Sequence, residues 1–173
     1  MRLFVWMTLS SLLPFVINLA EATERGRMIA FLEQFEGRWV GTFTIHSEAT
    51  GYTQELLVEQ RYWWSDNALR GLSVAETAEG SQTATSRAFF SGEALRLEVS
   101  KNGEVEVFAG VLDQDRIIWV TANPARLNDY QFNERFVQEG LSTILVSEGF
   151  DTYDYEDDLA YIIYKGRMVK VPE

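Results

Sequence analysis

Apolar residues follow a helical spacing over one short stretch of the chain and a period of two over most of the residues after it. A short helix is predicted by the apolar residues Met28, Ile29, Leu32 and Phe35. From Gly37 the period changes to two, and Trp39, Phe43 and Ile45 share one face of the next segment. This alternation is typical of a half-buried β-strand.

The same alternation recurs along the chain to the region near the C-terminus. Further strands are predicted at about 56–64, 69–77, 82–90, 95–99, 105–111, 117–121, 130–138, 141–152 and 159–165. Asn102-Gly103 is the strongest hairpin signal, because this pair suits the two positive φ values of a type I′ turn. Asn123-Pro124 interrupts the pattern and begins the longest connection.

About nine or ten short strands, joined mostly by hairpins and without intervening helices, limit the possible architectures. An antiparallel sheet of this kind has exposed edges unless it closes on itself. We therefore expect an all-β fold, an antiparallel up-and-down β-barrel of about 8–10 strands with a short N-terminal helix. A length of 173 residues suits a single domain of this type.

The N-terminal segment has the order of a secretory signal peptide. Met1-Arg2 carries one positive charge, residues 3–19 are almost wholly apolar, and Ala20-Glu21-Ala22 places small residues at a cleavage site. The prediction is a signal peptide over residues 1–22, a mature domain over residues 23–173, and a periplasmic or secreted location. The alternative is an uncleaved anchor, because the apolar run is long enough to span a membrane.

Charge and cysteine content exclude several partners and chemistries. The formal net charge is -11, with 15 Lys and Arg against 26 Asp and Glu. Such a surface repels nucleic acids and anionic lipids, so no nucleic-acid partner and no stable membrane insertion after cleavage are expected. The absence of cysteine excludes disulfides, thiolate catalysis and thiolate metal sites.

The residues between the predicted helix and the first strand form the motif Phe35-x-Gly37-x-Trp39. This motif resembles the opening signature of lipocalins and related calycins, and also the start of uncharacterised bacterial exported lipocalin-like families. The resemblance implies that Trp39 closes the base of a lipocalin-like barrel and that Gly37 permits the tight entry into the strand. It also implies that a ligand enters from the opposite, open end.

In a barrel of this size, inward side chains either fill the lumen or line a cavity for one small ligand. We assign to the inward face Trp39, Phe43, Val58, Tyr62, Leu97, Val107, Trp119, Phe132 and Phe136. Two charged residues, Arg70 and Glu134, fall in line with apolar neighbours, and a buried charge is costly unless it is paired. The predicted ligand-binding residues are Tyr62, Arg70, Trp119, Phe132, Glu134 and Phe136.

No catalytic or metal-binding signature accompanies these residues. His46 is the sole histidine and lies at the end of the first strand, which does not favour a haem ligand or a catalytic triad. The acidic residues over 151–158 lack the pattern of a calcium loop and are interpreted as a solvated turn. No cofactor or metal is therefore expected.

Three functions remain open at this point. The first is an exported barrel that binds a small hydrophobic or amphipathic ligand without catalysis. The second is an enzyme on the same scaffold, with Glu134 as acid or base and Arg70 as an anion holder. The third is a packed barrel that acts through its surface as a protein-interaction module of the cell envelope.

Overall fold

The computed structural model describes residues 24–122 and 129–172. The predicted signal peptide and the Asn123-Pro124 segment lie outside these ranges. Within them, no helix has both the length and the apolar content needed to cross a membrane. Helix α1 occupies residues 24–33 in a first compact unit that ends at Gln34, and the barrel belongs to a second unit, Phe35–Glu173.

The second unit contains ten strands. They are β1 (Gly37–Ser47), β2 (Thr53–Ser65), β3 (Ala68–Thr77), β4 (Gly80–Ser91), β5 (Ala94–Lys101), β6 (Glu104–Asp113), β7 (Arg116–Thr121), β8 (Tyr130–Glu139), β9 (Ser142–Tyr155) and β10 (Asp158–Val171). Each strand pairs in antiparallel fashion with its neighbours in sequence, and β10 pairs with β1 to close the barrel. The predicted up-and-down barrel is confirmed.

Tight turns connect most of these strands. At the β5–β6 connection, Asn102 and Gly103 have φ angles of 54° and 84°, which confirms the predicted hairpin. Asp66 and Asn67, between β2 and β3, have φ angles of 54° and 58° and form a turn of the same kind. Short turns of this type fix which residues face each other across a pair of strands.

The register defines the inner face of the barrel, because residues paired directly across antiparallel strands point to the same side. Trp39 has no exposed surface and is paired with Gln60, so both face inwards. Applied around the closed sheet, the same rule places Trp119, Leu145 and Met168 inside, and each is at most 1% exposed. The core of the barrel is therefore built from every second residue of each strand.

Two assignments of inward residues are wrong. In β3 the inward residues include Leu69 and Gly71, so Arg70 points outwards. In β6 the inward residues include Phe108 and Gly110, which places Val107 on the outer wall. In both strands glycine or another small residue stands on the inner face, and the branched apolar residues lie outside.

Candidate functional site

The base of the barrel, where β1 begins, is closed by a cluster of aromatic rings. Trp39 donates its indole N–H to the carbonyl oxygen of Phe35 at 2.7 Å. The ring of Phe136 lies 4.8 Å from that of Phe35 and 5.7 Å from that of Trp39, measured between centroids. Tyr62 packs edge-on against Phe35 at 5.3 Å. These contacts form the floor of the lumen.

Glu134 lies on the inner face of β8, next to this floor. Its Oε2 accepts a hydrogen bond of 2.9 Å from the indole N–H of Trp119, and its Oε1 accepts one of 3.3 Å from the Ser147 hydroxyl. Burial raises the pKa of Glu134 to about 7, although the two hydrogen bonds act in the opposite direction. The carboxyl group therefore changes its charge near neutral pH.

The accessible surface of Glu134 explains how a carboxyl group in this position can serve a ligand. Glu134 is half-buried rather than buried, because its side chain faces the lumen while the barrel wall surrounds it. The wall removes most of the bulk solvent, but the lumen leaves the group open to contact. A desolvated and reachable carboxyl is a common feature of functional sites.

Tyr62 is the second titratable group at the floor. Its hydroxyl donates a hydrogen bond of 3.2 Å to Oε1 of Gln60, which also faces inwards. Burial is the main cause that raises the pKa of Tyr62 well above its ordinary value, and the nearby charge of Glu134 adds to the effect. Tyr62 is therefore a neutral hydroxyl at all physiological pH values.

A band of aromatic side chains lines the lumen beyond Glu134. This aromatic band consists of Phe43, Phe108, Tyr130, Phe132 and Tyr164. Phe108 packs edge-on against Phe132 at 5.1 Å, and Tyr164 lies 5.9 Å from Tyr130 and 6.0 Å from Phe43. All but Phe108 are half-buried, so these rings line accessible space instead of filling the lumen completely.

Inward-facing glycines make room for the large side chains of the site. A Cβ atom added to Gly71 would lie 2.8 Å from Cε1 of Tyr62, and one added to Gly110 would lie 2.4 Å from Cζ3 of Trp119. Neither distance is compatible with ordinary van der Waals contact. The two glycines therefore allow the Tyr62 and Trp119 rings to lie flat against the barrel wall.

The structure brings five of the six predicted ligand-binding residues together. Tyr62, Trp119, Phe132, Glu134 and Phe136 all face the lumen. Arg70 is the exception, because its side chain is 38% exposed on the outer wall and forms an ion pair of 3.2 Å with Asp66. This position removes Arg70 as a partner for Glu134.

Sequence reasoning missed Ser147 and most of the aromatic band. Ser147 reaches Glu134 because the two residues are paired across β8 and β9, and a lone serine in a strand carries no signal of this. Phe108 and Tyr164 were hidden by errors or gaps in the predicted faces of β6 and β10. The alternating pattern of β10, with Tyr164 two residues from Ile162, was the one usable signal for Tyr164.

Metal ligands are not assembled in the part of the chain that the structure describes. No group of three or more histidine, aspartate or glutamate side chains in residues 24–122 and 129–172 is placed to hold a metal ion. The Nδ1 atom of His46 instead shares a hydrogen bond of 2.8 Å with the hydroxyl of Thr53 near the strand end. The chemistry available in the lumen is therefore that of a carboxyl group, hydroxyl groups and aromatic rings.

Comparison with known proteins identifies the fold. No protein-family model matches the sequence, and no curated protein is significantly similar to it. Among solved structures, the chain is similar to the S-type phycobiliprotein lyase CPES from Guillardia theta, with a TM-score of 0.57 and 11% sequence identity. The match covers 86% of this chain and 96% of that chain. The second unit of this protein is thus a closed, ten-stranded barrel of the lipocalin-like, or calycin-like, type.

Proposed function

We propose that the protein is an exported barrel that binds a small, largely apolar molecule in its lumen and orients it through Glu134. The observation that carries the proposal is a desolvated carboxyl group that faces accessible, aromatic-lined space. Binding cavities for small molecules combine an apolar lining with a few polar groups that fix orientation. The aromatic band and Glu134 meet this description.

The surroundings of Glu134 favour one kind of polar group on the ligand. The hydrogen-bond donors recorded at its carboxylate are the neutral groups of Trp119 and Ser147. Among the described residues, no positively charged side chain contributes to its pKa. The ionised form therefore lacks a counter-charge, which an N–H group or a protonated nitrogen of the ligand would supply.

The shape of the lining favours a flat ligand. Aromatic rings offer their faces and edges to other π-systems, and such contacts favour conjugated molecules over flexible chains. The structural neighbour is named as a phycobiliprotein lyase, and this makes an open-chain tetrapyrrole a reasonable first probe. Such a molecule combines a flat apolar frame with several N–H groups.

Titration with biliverdin, followed by absorbance and tryptophan fluorescence, tests this proposal. The wild-type protein should bind biliverdin, and Glu134→Gln should weaken binding by about 10- to 100-fold, the value of a hydrogen bond to a charged group. Palmitate, which has no N–H group and carries a carboxylate, should bind more weakly than biliverdin. Glu98→Gln on the outer wall is the matched control and should bind as the wild type does.

Two results would overturn the binding proposal. One is the absence of saturable binding for biliverdin and for a panel of flat, N–H-bearing apolar compounds. The other is an equal affinity of the Glu134→Gln variant and the wild type for a compound that does bind. The enzymatic alternative would have used Arg70 beside Glu134, and the outward position of Arg70 gives it no support.

Export is the second part of the proposal, and it rests on the N-terminal sequence. Expression with the full N-terminus in a bacterial host should yield a mature protein that begins at Thr23, as measured by intact-mass spectrometry. Ala22→Leu should block cleavage, because the processing site requires a small residue at this position. A mature protein that still begins at Met1 and stays in the membrane fraction would contradict the prediction.

A further inference from the structure

A groove crosses the outer wall of the barrel over β8, β9 and β10. Its floor is the cross-strand row Phe132, Gly149 and Tyr164, whose side-chain positions belong to the lumen side. The outer surface of this row is therefore bare backbone. The resulting groove has a volume of about 430 Å³ and is distinct from the ligand site proposed inside the barrel.

The two walls of the groove are chemically different. One wall is mainly apolar, with Phe150, Ile163 and Tyr161, and the rings of Phe150 and Tyr161 meet edge-on at 5.8 Å. The other wall is polar and consists of Asn133, Glu148 and Lys165. Glu48 closes the groove beside Tyr161, since its backbone N–H donates to the Tyr161 carbonyl at 3.0 Å.

Asn133 gives the strongest indication of a missing partner. Its amide nitrogen donates a hydrogen bond of 3.0 Å to the carbonyl oxygen of Glu148. Its Oδ1 atom is buried, and no hydrogen-bond donor within the described residues reaches it. A buried acceptor without a donor costs about 1–3 kcal/mol, so a partner with an N–H group would recover this energy.

We propose that this groove binds an arginine side chain presented by a partner protein. A guanidinium group is planar and carries five N–H donors, so it can stack on Tyr161 and Phe150 while it donates to Oδ1 of Asn133. Glu48 and Glu148 supply negative charge at the rim. The net charge of -11 draws a basic partner towards this surface.

The other charges at the groove set the expected signs of the test. Arg135 is engaged by Glu148 at 2.9 Å and so offsets part of that carboxylate. Lys165 carries the like charge that a bound guanidinium would meet across the groove. Removal of the Lys165 charge should therefore strengthen binding, and removal of the Asn133 acceptor should weaken it.

The test is an NMR titration of the full-length, ¹⁵N-labelled protein with the peptide acetyl-Gly-Arg-Gly-amide. The amide signals of Gly149, Phe150 and Lys165 should shift saturably. The same peptide with citrulline, which has the shape of arginine without its charge, should cause much smaller shifts. Asn133→Leu should reduce the affinity for the arginine peptide by about 10-fold, as expected for the loss of a charged hydrogen bond.

Two further variants complete the experiment. Lys165→Ala should bind the arginine peptide more tightly than the wild type, and Thr85→Ala on the outer face of β4 should bind it equally. The proposal fails if the arginine and citrulline peptides give equal shifts, if the shifts fall on lumen residues, or if Lys165→Ala weakens binding. Because Lys165→Ala predicts a gain, a variant that only damages the fold cannot mimic the expected result.

Discussion

Glu134 carries a charge that the fold disfavours. Its pKa lies near 7 in the folded protein and near its ordinary value of 4.5 in the unfolded chain. The protonated form is thus the one that folding favours. This group contributes stability that is fully present below pH 4.5 and is lost as the pH rises through 7, which corresponds to roughly 3 kcal/mol.

Glu134→Gln isolates this contribution, because glutamine stays neutral at every pH. Between pH 4.5 and pH 8, the free energy of unfolding of the wild type should fall by about 3 kcal/mol relative to that of Glu134→Gln. Urea unfolding at a series of pH values measures the difference, and Glu98→Gln on the outer wall serves as the control. A constant difference across the pH range would contradict the assignment.

The prediction of the site from sequence succeeded where polar and apolar residues alternate without interruption. Glu134 lies between Phe132 and Phe136 on an alternating strand, so its inward direction follows from the period alone. Ser147 was missed because its role depends on the pairing of two strands. Contacts of this kind are set by register, and no local pattern reports them.

At the scale of the element, β3 and β6 show why alternation fails in parts of a narrow barrel. Their inner faces carry Gly71 and Gly110, opposite the large rings of Tyr62 and Trp119. Their outer faces carry branched apolar residues, such as Val111, which is 53% exposed. The more hydrophobic face is then the outer one, because the lumen has no room for two large side chains at the same level.

The β5–β6 hairpin offers a direct test of turn chemistry. A Cβ atom added to Gly103 would meet nothing within 4 Å among the described residues, so only its φ of 84° opposes a side chain. Gly103→Ala should therefore lower the free energy of unfolding by about 1–2 kcal/mol. Asp115→Ala, in the next turn, should change it by less than about 0.5 kcal/mol.

Urea unfolding of both variants measures this difference. Equal stabilities of Gly103→Ala and the wild type would show that the turn tolerates a side chain, and would contradict the assignment of a type I′ geometry to the hairpin. The sequence signal for this turn, Asn102-Gly103, was sufficient because the geometry is local.

At the scale of the whole molecule, closure depends on the end of β10. Sequence periodicity predicted this strand only to residue 165, whereas it continues to Val171 through pairs such as Val40 with Val169. The missing part is supported by pairing with β1, at the other end of the barrel sequence. Sequence patterns predicted the architecture correctly, but the length of this strand depends on its distant partner.

Val169→Pro tests this closure, because the Val169 side chain is 40% exposed and contributes little to the core. Proline removes a backbone donor from a strand that has neighbours on both sides, so a loss of about 3 kcal/mol or more is expected. Val169→Thr keeps the donor and should stay within about 0.5 kcal/mol of the wild type. Similar stabilities for both variants in thermal and urea unfolding would contradict the need for this pairing.

The strand order also has a kinetic consequence. Nine of the ten strand pairings join consecutive strands, and only the pairing of β1 with β10 joins the two ends of the barrel sequence. Hairpins form quickly, whereas contacts between distant residues must first overcome the entropy of closing a long loop. Folding of this protein therefore divides into rapid growth of an open sheet and one slow step, in which that sheet becomes a ring.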